Sequence, residues 1–68
     1  MVLTAVLMVA EEGGYIALNP ETGTTTQGET IAEALANLQE ATSLFLEEFP
    51  TPFVPHHPIV TTFEVLRA

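Results

Sequence analysis

The sequence contains no cysteine, tryptophan, lysine or aspartate, and one arginine, Arg67, stands against nine glutamates for a formal charge of −8. Without cysteine there is neither a disulfide staple nor a thiolate metal site to support a small core. So acidic a chain repels a phosphate backbone, which argues against direct nucleic-acid binding. Neither G-x-G-x-x-G nor G-K-[ST] occurs, so both phosphate-cradling signatures are missing. The apolar start, Met1 to Ala10, has no basic n-region and no cleavage site, and it falls short of the ~20 residues that span a bilayer. It reads as a strand in a cytoplasmic protein.

What is present is apolar: 47% of the 68 residues are hydrophobic. A chain this short makes one domain, residues 1–68, and buries only about 60% of the surface its unfolded form exposes. A second copy can cover what one thin core cannot, so self-association into a homo-oligomer, dimer or tetramer, is expected. The acidic surface serves either solubility or a basic protein partner.

Gly28 to Phe49 reads as the only helix. Thr30 is its N-cap, and Glu33 can reach back to the N–H of Thr30 in a capping box. Ile31, Ala34, Leu35, Leu38, Thr42, Phe45, Leu46 and Phe49 recur at three- and four-residue steps and form one apolar stripe. Pro50 and Pro52 cannot continue the ladder. Leu44 sits off the stripe.

The flanks are strand-like. Val2 to Ala10 is apolar on both faces, Glu11 to Gly14 is a polar turn with two glycines, and Tyr15 to Leu18 resumes the strand pattern, which together predict a hairpin. Asn19-Pro20-Glu21-Thr22-Gly23 is a second turn and Thr24 to Gln27 a third, weak strand. Pro50 to Pro58 reads as a stiff connector. In Ile59 to Leu66, a last strand, Ile59, Thr61, Phe63 and Val65 project to one side and Val60, Thr62, Glu64 and Leu66 to the other. The expected fold is α+β: a single β-β-β-α-β unit with one helix on one face of a small, mainly antiparallel sheet. One helix covers one face only, so the other predicts an interface. Ile59, Thr61, Phe63, Val65 and Leu44 are the expected self-association residues.

Chemistry is harder to find. His56 and His57 invite a metal or acid–base reading, but neighbours in an extended chain point to opposite sides, and the pair sits among prolines. Glu11-Glu12 and Glu47-Glu48 are carboxylate pairs adjacent in sequence at element ends, where solvated charges sit. Catalysis needs carboxylates converging from different elements in a concave site. No catalytic residue, cofactor or metal is assigned, and an enzyme is not expected.

The run from Gly14 through Phe49 resembles the HicB family, the antitoxin half of HicA–HicB toxin–antitoxin pairs. The likeness lies in an aromatic-led strand ending in Pro-Glu, Tyr15 to Glu21, followed by Gly28-Glu29-Thr30-Ile31-Ala32-Glu33-Ala34 as G-[DE]-T-x-x-E-A and a Leu-rich helix with an acidic end. The resemblance implies a partial RNase H-like β-β-β-α-β unit. It also implies binding to HicA, a small basic ribonuclease, by masking of its active site, with electrostatic complementarity steering the encounter. A partner-facing acidic rim would then draw on Glu11, Glu12, Glu21, Glu47 and Glu48. Many members carry a C-terminal DNA-binding segment; the sequence reads as a short form without one, so operator binding is not carried over. RNase H-like catalysis is not carried over either, because its carboxylate cluster is usually rich in aspartate. The alternative is an orphan oligomeric scaffold with no toxin partner.

Overall fold

The computed structural model of the chain describes residues 1–49 and 53–67. Pro50 to Pro52, where the helix was expected to stop and the connector to begin, and Ala68 lie outside the described residues. Three strands, β1 (Val6–Val9), β2 (Tyr15–Asn19) and β3 (Thr24–Gly28), form an antiparallel sheet in the order β1-β2-β3, and α1 (Ile31–Glu48) follows. Val6 pairs with Leu18 and Val9 with Tyr15, while Tyr15 also pairs with Gly28 and Asn19 with Thr24. The fold is α+β.

The joint between β3 and α1 fixes where the helix lies. A Cβ on Gly28 would stand 2.4 Å from the backbone nitrogen of Ala34, so only glycine lets the end of β3 run against the first helical turn. The Thr30 Oγ1 accepts from the Glu33 N–H at 3.1 Å, as an N-cap should. The return contact differs from the expected box. With Thr30 extended (φ −126°, ψ 162°), the amide within reach of the Glu33 carboxylate is that of Glu29, at 3.3 Å. Thr26 Oγ1 donates to the Ala34 carbonyl and Asn37 Nδ2 to the Gln27 carbonyl, tying α1 to β3. α1 therefore lies over β3 and β2 and hardly reaches β1. Its last turn holds Glu47 and Glu48 and no basic residue.

The core is as thin as the chain length predicts: Ala17, Ala34 and Leu38 are buried, with Leu7 and Tyr15 packed against them. Of the expected apolar stripe only Ala34, Leu38 and Thr42 are buried, the line at four-residue steps that faces β2. Ile31, Leu35 and Phe49 are exposed: Ile31 and Phe49 stand at the two ends of the helix, and Leu35 lies on the flank toward residues 1–5. β1 is shorter than Val2 to Ala10 and none of its residues is fully buried; Val9 is 80% exposed. Both of its faces were expected to be covered; at the edge of the sheet Leu7 meets the core, while Met8 and Val9 are exposed.

The expected last strand does not form among the described residues. Ile59 to Leu66 carries the strand pattern yet stands in solvent, with Ile59 94%, Phe63 86% and Leu66 89% exposed. A strand needs a neighbouring edge to pair with and a face to cover. Pro55 and Pro58 stiffen the chain on either side of His57 and lead the following residues away from the body.

Candidate functional site

The most connected polar group in the chain is Glu21, whose side chain is 0% exposed. Its Oε1 accepts from the Thr4 N–H at 3.0 Å and from Asn19 Nδ2 at 2.6 Å. Its Oε2 accepts from the Thr4 hydroxyl at 2.7 Å and lies 2.7 Å from His57 Nδ1. An ionised carboxylate only accepts, so in this contact His57 carries its proton on Nδ1. Enclosure disfavours the charge and pushes the pKa up, but the Thr4 hydroxyl, the Thr4 amide and His57 outweigh it and hold Glu21 at about 2, below its ordinary 4.5. Asn19 completes the cluster, donating to the Thr4 carbonyl at 2.8 Å and accepting from the Thr22 N–H at 2.9 Å. Three stretches far apart in sequence thus meet at one carboxylate: the N-terminal segment, the β2–β3 turn and the chain after the helix.

Beside this cluster lies an open groove of about 360 Å³ between residues 1–5 and the flank of α1 that β1 leaves uncovered. Leu3, Ala5, Leu35, Leu38 and Leu46 make its apolar walls, and Thr42 sits at its floor. No charged side chain lines it, in a chain with nine glutamates. A second hollow of about 220 Å³ at the start of α1 is lined in part by Glu29 and Glu33, so carboxylates stand at the amide end of the helix.

The structure separates the expected rim residues. Glu11 and Glu12 are exposed on the β1–β2 turn, at the end of the sheet where α1 begins, and Glu47 and Glu48 are exposed at the opposite end of the helix. Eighteen helical residues put these poles roughly 27 Å apart. Glu21 does not belong to a rim at all: it is enclosed and fully used by its own chain. Ile59, Thr61, Phe63 and Val65 are exposed on the tail, and Leu44 is 55% exposed on the outer side of α1, away from them in sequence and outside the groove lining. His57 meets Glu21 while His56 is solvated, and among the described residues no group of three or more His or Glu converges as a metal site would. No helix among those residues is long and apolar enough to cross a membrane.

The reading of the sequence missed Thr4, Asn19 and the groove. Asn19 had a local signal, since Asn ahead of Pro-Glu-Thr-Gly is an Asx-turn pattern. Thr4, a lone polar residue in an apolar run, had only its isolation.

Comparison with known proteins places residues 4–52 in the match to a family model described as a family of unknown function, DUF7387. A curated relative, the UPF0150 protein ssl0738 of Synechocystis sp. (strain ATCC 27184 / PCC 6803 / Kazusa), is 51% identical over 47 residues. That stretch is 68% of this chain and 65% of the relative, so the chain spans just under two thirds of the relative's length. No solved structure matches.

Proposed function

This chain belongs to the DUF7387 family, and on that premise we propose that it is a HicB-like, antitoxin-type binding protein that masks a small basic ribonuclease of the HicA kind. The observation that carries the reading is the position of the HicB-like residues. Tyr15 to Glu21 and Gly28 to Ala34 are β2, its turn and the capped joint of α1, so the likeness falls on the residues that hold the fold. The charge supports the same reading, because exposed carboxylates at both ends of α1 offer a cationic protein two attachment points. Masking is steric and electrostatic. The reading assigns no catalytic residue, cofactor or metal, and it takes the protein to work in the cytoplasm as a homo-oligomer.

A co-purification test decides it. The tagged chain, co-expressed with a small basic open reading frame adjoining its gene, should retain that product and stop its cleavage of RNA. Glu47→Lys with Glu48→Lys should slow the association, and raised salt should slow it for the unaltered chain. Absence of such a neighbour, or ribonuclease activity untouched by a molar excess of the chain, overturns it. The exposed Ile59, Phe63 and Leu66 favour a second reading, an orphan scaffold that only self-assembles. Retention of its own copies and of no basic protein would identify that case.

A further inference from the structure

We propose that Ile59 to Leu66 is an exchanged arm, which in solution lies along the free edge of β1 in a second copy of this chain and fills that copy's apolar-walled groove. The inference deepens the self-association part of the proposed function and does not depend on a toxin partner. Its first support is the asymmetry of the body. α1 covers β3 and β2, and Leu35, Leu46 and one side of the buried Leu38 line the groove that remains between its flank and residues 1–5, just ahead of β1. A strand added at β1 lies under that flank and converts a three-stranded sheet with an off-centre helix into a covered one.

The second support is the match of occupant to site. In strand geometry Ile59, Phe63 and Val65 would project to one side of the tail at the two-residue period, and they are 94%, 86% and 65% exposed in the isolated chain. The tail carries one Glu, Glu64 on the other side, and Arg67, so its charge is near zero in a molecule of −8. It can approach another copy without carrying the acidic field with it, and no charged side chain lines the groove it meets. At the groove floor Thr42 Oγ1 is buried with no hydrogen-bond partner among the described residues, a polar atom that an occupant's backbone can satisfy.

The third is reach and area. His57, held at 2.7 Å to Glu21, fixes the root of the arm beside Thr4 and Asn19, at the mouth of its own groove, and from there the chain runs outward. A radius of gyration of 14.2 Å, against about 11 Å for a compact chain of this length, measures how far it extends. Exchange by two-fold symmetry places both arms at once. A specific interface buries ~1,200–2,000 Å² in total, and two arms with the two faces they cover are what would have to supply it.

The test uses the purified full chain in sedimentation equilibrium. The unaltered chain should be dimeric, and Ile59→Asp with Phe63→Asp should weaken the dimer at least about tenfold with an unchanged circular dichroism spectrum, since both residues are exposed. Gln39→Glu with Ser43→Glu, exposed residues on the groove wall, should do the same from the other side. In a mixture of the two variants each heterodimer keeps one intact arm in one intact groove while its other contact sets the introduced Asp against the introduced Glu, so the mixture should associate more weakly than the unaltered chain. A monomeric unaltered chain overturns the proposal, including one whose arm amides are protected by docking onto its own body. So does a dimer indifferent to both double variants.

Discussion

Thr4, Asn19, Glu21 and His57 form an acid-sensitive joint. Because Glu21 is held at about 2 when folded and titrates near 4.5 when unfolded, its contribution is complete above pH 4.5 and is lost as pH falls from there toward 2. Urea unfolding should therefore weaken steeply between pH 4.5 and 2.5, and Glu21→Gln should flatten that part of the profile while lowering stability at pH 7. A profile unchanged by Glu21→Gln would mean that the carboxylate titrates alike in both states. Thr30→Ala removes the cap on α1 and should cost about 1 kcal/mol. In a domain of this size that lowers Tm by roughly 4–8 °C per kcal/mol, readable by circular dichroism at 222 nm.

At the scale of elements, the joint of β3 and α1 is the least forgiving place in the chain. Gly28→Ala forces a methyl to within 2.4 Å of the Ala34 nitrogen, a backbone atom that cannot swing aside, so the helix must lift off the sheet. A loss of about 3 kcal/mol or more is expected, enough to unfold so thin a body at room temperature. Leu38→Ala should cost ~2–5 kcal/mol, whereas Leu44→Ala, on the outer side, should stay within ~0.5 kcal/mol. The hairpin, the turn at Gly23 and the start of α1 were legible in the sequence because each is decided within a few residues of its own position. The last strand was not, since strand pattern states a capacity to pair and only an edge in space can realise it. Glu21 was misread for a related reason: sequence gives its charge, whereas its donors arrive from Thr4 and His57, far along the chain. The extent of helix burial was overread because the stripe predicts a face but not how far the strands beneath it reach.

For the molecule as a whole, a core built on Ala17, Ala34 and Leu38 leaves little margin, so arm exchange and stability are coupled through concentration. Tm should fall by about 5 °C or more on tenfold dilution, and the Ile59→Asp, Phe63→Asp variant should melt at one temperature whatever its concentration. Each strand of the sheet pairs only with the one before or after it in the chain, and the helix folds back on the strand that precedes it. Contacts so local close quickly and need nothing from the arm. Renaturation should then run in two kinetic phases, a first-order collapse indifferent to dilution followed by a second-order step that waits on collision, so a newly made chain would meet its partners already shaped.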